Sequence, residues 1–379
     1  MRNLDLYGSF FNGRRVLVTG HTGFKGTWLC LWLRGLRAQV TGYSLGLPTR
    51  PSLFADLGLA ADVRHYIGDV RDPVRLARVF AAARPELVFH LAAQSLVLPS
   101  YRAPRQTYET NVMGTVNLLE AVRHCRSVRA VVNVTSDKCY QNREQPRGYR
   151  EVDALGGHDP YSSSKGCAEL VTAAYRWSFF APNGGTGKQL ACAVASARAG
   201  NVIGGGDWAE ERLLPDCVRA LLAERAVTVR CPDAVRPWQY VLEPLAGYLL
   251  LARRLYEEGA PFTEAWNFGP ERAAAASVRR VVADVIRLWG CGSCRVLKGR
   301  RPHEASQLRL NSAKARAVLG WRPGYGLSQA LEQTIAWYRF YQRHGRCGLR
   351  EFSVSQIYRY AAAVRKRNAT HGYDRSRTR

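Results

Sequence analysis

Residues Arg15 to Gly26 read RVLVTGHTGFKG. Arg15 to Thr19 is a short apolar run rich in β-branched residues, which predicts a strand. It leads straight into three glycines, Gly20, Gly23 and Gly26, and a helical stretch is expected from Thr27 to Leu36. Strand, glycine turn and helix, in that order, form the setting that a phosphate-binding turn requires. Gly20 permits the tight turn, Gly23 lets the backbone approach a pyrophosphate, and Gly26 lets the helix pack on the sheet. Free amides at the helix N-terminus then face the anion, with Phe24 in the same set. His21 and Lys25 sit inside the turn, as contacts near the phosphates or as two exposed side chains. The G-x-x-G-x-x-G spacing is weak evidence by itself; its place after a strand strengthens it.

Strand and helix continue to alternate outward from this turn. Gln39 to Tyr43, Arg64 to Ile67, Leu87 to Leu91 and Val128 to Thr135 read as further strands. Pro73 to Ala83 and Tyr108 to His124 read as the helices between them. Regular alternation with buried strands predicts a parallel, doubly wound α/β sheet. Ligands then belong beyond the carboxyl ends of the strands. Asp69 and Val70 end the third strand on the adenine side, and Ala92, Ala93 and Gln94 follow the fourth.

Two candidate catalytic elements occupy such strand ends. Ser136-Asp137-Lys138 follows the fifth strand directly. Tyr161-Ser162-Ser163-Ser164-Lys165 opens a helix after Asp159-Pro160. Tyr161 and Lys165, four residues apart, share a helix face. An ammonium there lowers the phenol's pKa and helps hold a cofactor ribose.

The 379 residues, 46% hydrophobic, suffice for one large domain or two closely joined ones. The most apolar early run, Trp28 to Leu33, is too short to span a bilayer, and a soluble, cytoplasmic protein with no membrane contact is expected. Of the ten cysteines, Cys291 and Cys294 form a single C-x-x-C with no second pair at zinc spacing, so no metal site is expected. The net charge is +25, and of the 55 basic residues only seven are Lys and 48 are Arg. They spread along the whole chain instead of forming a stripe. That distribution fits a solvated surface with anion sites better than a nucleic-acid interface, and no nucleic acid is expected as partner.

TGHTGFKG (Thr19 to Gly26), HLAAQ (His90 to Gln94), TSDKCY (Thr135 to Tyr140), PYSSSKGCAELV (Pro160 to Val171), RAGNVIGGGDW (Arg198 to Trp208), RPWQYVLEPLAGYL (Arg236 to Leu249), WNFGP (Trp266 to Pro270) and HEA (His303 to Ala305) occur in this order. Over Phe11 to Tyr360 the chain resembles the CDP-glucose 4,6-dehydratases. These belong to the nucleotide-sugar dehydratases of the extended short-chain dehydrogenase/reductase superfamily. TSDKCY and RAGNVIGGGDW are specific to that branch; the glycine turn and the Tyr-Lys pair are shared across the superfamily.

The resemblance implies a Rossmann-type NAD-binding domain over residues 1–195, with a return segment near 237–270. It also implies a smaller, mixed substrate-binding domain over 196–363. The tail, 364–379, is basic and reads as disordered. The implied reaction converts CDP-D-glucose to CDP-4-keto-6-deoxy-D-glucose and water, with NAD reduced and reoxidised in one turnover. Tyr161 removes the C4 hydroxyl proton, Lys165 supports it, and Ser136 bonds the new 4-keto oxygen. Asp137 and Lys138 divide the C5 base and C6 acid roles, with Lys138 favoured as base; a Lys base must be neutral, far below its usual pKa of ~10.4. A homodimer or homotetramer is implied, joined through the Tyr108 and Tyr161 helices.

Gln94, Asn201, Arg212, Arg236, His303 and Glu304 are the candidate substrate contacts, with Arg suited to a pyrophosphate. Tyr240 replaces a usual His, and Gln307 to Asn311 departs from the usual pattern. Both fall where the nucleotide-sugar is expected and so bear on selectivity. The second strand ends without the acidic residue that often binds the adenosine ribose, or an Arg for a ribose phosphate, so NAD over NADP rests on the resemblance. Two rivals remain open: an epimerase or reductase on the same scaffold, and a nucleic-acid-binding relative without turnover. In the second half, helices are expected over Leu213 to Glu224, Val241 to Tyr256, Ala275 to Leu288, Ser312 to Leu319 and Leu327 to Tyr341, with a short returning strand at Trp266 to Phe268.

Overall fold

The computed structural model describes residues 4–145, 147–180, 192–271, 275–297 and 308–370. Seven strands form the central sheet: β1 (Arg15–Thr19), β2 (Gln39–Ser44), β3 (Arg64–Ile67), β4 (Leu87–His90), β5 (Ala130–Val134), β6 (Ala193–Arg198) and β7 (Ala265–Asn267). Their order is β7-β6-β5-β4-β1-β2-β3, and every pairing is parallel. The chain winds outward from β1 to β3, then returns to β4 on the other side of β1. This is the doubly wound, Rossmann-type topology, and the reversal between β1 and β4 opens a crevice at the carboxyl ends.

The strands read as near-continuous apolar runs because both faces of the sheet are covered. Along β1, Val16 and Val18 join one core with Trp28, Trp32, Leu245 and Leu249, while Leu17 joins the other with Leu76, Phe80 and Leu118. That alternation is the two-residue period of a pleated strand. The longer helices are α1 (Phe24–Gly35), α2 (Pro73–Ala83), α3 (Gly114–Arg123), α4 (Pro160–Tyr175), α5 (Leu213–Leu222), α6 (Leu242–Glu258), α7 (Val278–Trp289), α8 (Leu327–His344) and α9 (Leu349–Thr370); α1 and α6 cover one face of the sheet, and α2, α3 and α4 the other. Asp72 caps α2 by accepting from Arg75 N at 2.9 Å, with Pro73 at the first helical position. Asp159 caps α4 in the same way, accepting from Ser162 N at 2.9 Å.

Several elements differ from their sequence expectations. α1 starts at Phe24, three residues early, because the glycine turn passes into helix without an intervening loop. The expected Tyr108 to His124 helix is divided: Pro104–Tyr108 is α-helical, Glu109–Met113 is a wider π-type turn, and α3 follows. Ala275–Ser277 is not helical but pairs antiparallel with Val235–Pro237, since Ser277 is the cap of α7. The sheet is two strands wider than the first five, through β7 and through β6, which continues past position 195 to Arg198.

The largest departure is α9. Helix continues through Thr370, so residues 364–370 are not the start of a disordered tail. Arg365 donates to Asp5 O at 2.8 Å and Arg367 to Pro323 O at 2.6 Å, and Arg367 also pairs with Glu271. Earlier in the helix the Tyr360 ring lies 5.8 Å from that of Trp32. Residues 371–379 lie outside the described residues. No described helix is long and apolar enough to cross a membrane.

Candidate active site

A cleft of about 1480 Å³ opens beyond the carboxyl ends of the strands, lined at one end by the glycine turn and by Ala92 and Ala93 after β4. Gly20 has φ +74°, and a Cβ there would stand 2.7 Å from the Ala92 amide nitrogen. A Cβ on Gly26 would fall 2.1 Å from the Gly20 carbonyl oxygen, so turn and helix touch as bare backbone. Gly23 at the N-cap of α1 offers no side-chain acceptor, which leaves the first amides of α1, including Phe24, for a ligand. Gly23, Phe24, Asp69 and Val70 also line the cleft. The Asp69 carboxylate is held by Arg71, which donates to it from its backbone N at 2.9 Å and from Nε at 2.8 Å.

The two side chains inside the turn part company. His21 is buried beneath β2, where its Nε2 shares a hydrogen bond with His65 Nδ1 at 2.7 Å and its Nδ1 shares one with Ser44 Oγ at 2.8 Å. Its ring fills the space beside Gly42, where a Cβ would be 2.3 Å from His21 Cδ2. The imidazole therefore makes no contact with the cleft, contrary to its place among the cofactor-binding candidates. Burial and the neighbouring His65 push its pKa far down. Lys25 does line the cleft. Burial, with Arg212 and Lys165 nearby, lowers its pKa to about 7, opposed by Asp137 and Asp207.

Ser136, Asp137, Lys138, Tyr161 and Lys165 all face the same cleft. Ser136 Oγ donates to Asp137 Oδ1 at 3.0 Å and accepts from Lys138 N at 3.2 Å. Tyr161 and Ser136 line the same part of the cleft, and Ser136 is close enough to favour the Tyr161 phenolate. Burial holds the Tyr161 phenol up at about 12, with Ser136 and Arg212 pulling it down and Asp137 pushing it up. Lys165 is lowered to about 8 by burial, with Glu169 and Cys139 opposing. Burial also raises Asp137, against the pull of Lys138, Ser136, Arg236 and Lys25, so that it keeps a proton more readily than an exposed carboxyl. The two expected elements thus line one cleft, with Ser136 between Asp137 and Tyr161 in its electrostatic effects.

At the other end, Arg212 donates to Asp207 Oδ2 at 3.3 Å and to Ser95 Oγ at 3.3 Å, joining the Gly204–Trp208 loop to the segment after β4. Arg236 and Asn201 line the cleft beside it. Gln94 also lines it, but its side-chain amide is spent on its own loop, donating to Leu96 O and Thr107 Oγ1 at 3.0 Å and accepting from Leu96 N at 2.6 Å. It positions the segment after β4. His303 and Glu304 lie outside the described residues.

The sequence profile described as the NAD dependent epimerase/dehydratase family matches residues 16–293. The chain belongs to that family. It is similar to the CDP-glucose 4,6-dehydratase of Salmonella typhimurium, with 52% identity over 88% of this chain and 93% of the relative. A dTDP-glucose 4,6-dehydratase of Xanthomonas campestris is 26% identical over 85% of this chain and 92% of its own. Among solved structures, the dTDP-glucose 4,6-dehydratase DesIV of Streptomyces venezuelae, with NAD bound, superposes with a TM-score of 0.73 at 26% identity, covering 86% of this chain and 97% of DesIV.

In this epimerase/dehydratase, sequence reasoning missed three residues that build the site. Asn111 accepts from Gln94 N and donates to Gln94 O, both at 2.9 Å, and donates to Ser164 Oγ at 2.8 Å. It locks the loop after β4 to α4, and its one signal was an Asn on the inner face of a helix. Glu169 and Arg198 form a buried ion pair at 2.7 Å beside the start of the loop after β5, where Glu169 accepts from Thr135. Tyr240, expected beside the nucleotide-sugar, is elsewhere: it is buried, donates to Gln356 Oε1 at 3.1 Å, and packs against Tyr325 and Tyr360. Of the other departure, Leu308 lines the cleft, Leu310 bridges to Tyr149, and Gln307 lies outside the described residues.

Proposed function

We propose that this chain converts CDP-D-glucose to CDP-4-keto-6-deoxy-D-glucose and water. The observation that carries the reading is that Ser136, Asp137, Lys138, Tyr161 and Lys165 all line one cleft, which puts an oxidation dyad and an elimination pair on one substrate. The bare cradle of Gly20, Gly26 and Ala92, with the uncapped start of α1, fits the pyrophosphate of NAD. When bound, NAD takes up the C4 hydrogen as hydride and gives it back at C6, ending the turnover unchanged.

Tyr161 removes the C4 hydroxyl proton, and Ser136 donates to the oxygen that becomes the 4-ketone. Lys165, one turn along the same helix, supports the dyad and holds the cofactor ribose, while Ser136 and Arg212 favour the Tyr161 phenolate. The ketone acidifies the C5 hydrogen, which Lys138 removes as the base. Asp137, raised by burial, supplies the proton that leaves with the C6 hydroxyl as water, forming the C5–C6 double bond; Lys138 returns its proton to C5 as hydrogen returns to C6, and the proton taken by Tyr161 restores Asp137. Arg212, Arg236 and Asn201 serve the substrate pyrophosphate, with His303 and Glu304 kept as candidates from the sequence. In this reading residues 1–195 and the return segment near 237–270 serve the cofactor, and 196–363 serve mainly the sugar nucleotide.

Self-association is supported by exposed apolar side chains on and just after the Tyr161 helix, Leu170 at 60% and Trp177 at 71% in the single chain, and at Tyr108 and Met113. A homodimer or a dimer of dimers covers them; sedimentation as a monomer at micromolar concentration contradicts this. A cytoplasmic location, within deoxysugar biosynthesis, is the reading supported by a reaction that draws on a nucleotide-sugar pool.

The test is a panel of CDP-, dTDP-, GDP- and UDP-glucose with product analysis by NMR. The expected result is a 4-keto-6-deoxy product from CDP-glucose without net reduction of NAD. A C4 epimer alone, or a stoichiometric demand for cofactor, points instead to an epimerase or reductase. Salt-sensitive nucleic-acid binding without turnover points to the non-catalytic rival.

A further inference from the structure

Glu169 is almost fully buried, at 4% exposure, and belongs to neither catalytic element. Its carboxylate accepts from Ser196 Oγ at 2.6 Å, from Arg198 Nη2 at 2.7 Å, and from Thr135 Oγ1. Thr135 immediately precedes Ser136-Asp137-Lys138, and Ser196 and Arg198 lie on β6. Glu169 itself stands one turn after Lys165 on α4, on the same buried face. Arg198 extends the network, donating to Tyr140 Oη at 2.7 Å, and Tyr140 donates to Asn267 Oδ1 at 2.8 Å. A buried carboxylate with this many charge-assisted donors stays ionised.

We propose that Glu169 is a positioning residue for the oxidation step: it fixes the catalytic loop after β5 against α4 and is the counter-charge that keeps buried Lys165 protonated. The assignment of Lys165 to that step rests on the function proposed above. Four titratable groups on the packed elements face Lys165 or feel its charge: Glu169 on its own helix, Cys139 after β5, His90 at the end of β4 and Lys25 on α1. Burial holds His90 neutral by pushing its pKa down, and raises the Cys139 thiol so that it stays protonated. Of the four, only Glu169 is negative at neutral pH. Burial already brings Lys165 down to about 8, so removing the one opposing charge lowers it further and strips the ammonium at a lower pH.

The chain holds only seven lysines, so lysine labelled with ¹³C at Cε gives a resolvable NMR titration, with Lys165→Arg identifying the Lys165 signal. Glu169→Gln should move the Lys165 midpoint down by about one pH unit or more. Glu169→Gln with Arg198→Met removes both charges at similar volume and should move it the same way, which covers the case in which the single variant leaves Arg198 unpaired and fails to fold. A folded variant of either kind whose Lys165 midpoint stays at the wild-type value overturns the proposal, even if its stability has dropped. The titration needs no substrate. A wild type that leaves CDP-glucose untouched therefore counts against the proposed reaction alone, and an unmoved midpoint in an active enzyme counts against Glu169 alone.

Discussion

A Cβ at Gly200 would stand 1.9 Å from Oδ2 of Asp137, so the carboxyl rests against bare backbone just past the end of β6. This contact seals Asp137 from water, and burial is the main cause of its raised pKa. Gly200→Ala must displace the carboxyl. The account predicts that dehydration falls on the order of 10²-fold, the scale of a misplaced catalytic group, while oxidation at C4 survives. Rapid-mixing absorbance for bound reduced nicotinamide, beside NMR for product, checks it; equal loss of both signals would mean that the whole cleft has collapsed.

Acid should destabilise the fold in a defined window. His90 is buried neutral, shares a hydrogen bond with Thr19 Oγ at 2.7 Å, and has its pKa pushed down to about 3 by burial. The unfolded chain protonates this ring near pH 6.5 and the folded chain does not. Stability is therefore intact above about 6.5 and is lost as pH falls toward 3, by up to about 1.4 kcal/mol per pH unit from this one group. His21 acts in the same direction. Urea midpoints between pH 7 and 4.5 should fall accordingly, and His90→Gln should make the slope shallower; an unchanged slope would show that His90 is not buried neutral.

Tyr240→Phe removes the hydroxyl that bonds Gln356 and leaves the cleft alone. The expected cost is about 1 kcal/mol of stability, with the ratio of kcat/KM for CDP- and dTDP-glucose unchanged. Urea denaturation and paired kinetics measure the two. A change in that ratio would return Tyr240 to the nucleotide site.

What the sequence made legible follows from the range of the interactions. The glycine turn, the capped start of the Tyr161 helix and the polar residues after β5 are local patterns, so they could be placed along the chain and assigned to one cleft. Asn111, Glu169 and Arg198 could not, because their partners lie 17 to 58 residues away and only the folded sheet brings them together. His21 was misplaced because position within a turn does not say which way a ring points; the open side of Gly42 does. α9 was missed because its anchors, Asp5, Glu271 and Pro323, are remote in sequence, and its basic composition alone resembles a tail.

The central claim is that oxidation and elimination are separate tasks of separate residues in one cleft. Asp137→Asn with Lys138→Met, loaded with NAD and given CDP-glucose, tests it in a stopped-flow spectrometer. The account predicts that near-ultraviolet absorbance of enzyme-bound reduced nicotinamide rises and persists, with no 4-keto-6-deoxy product. Tyr161→Phe should show neither signal, with a loss on the order of 10²–10⁴-fold. Normal turnover by the double variant would contradict the account, because the elimination would then be carried out elsewhere.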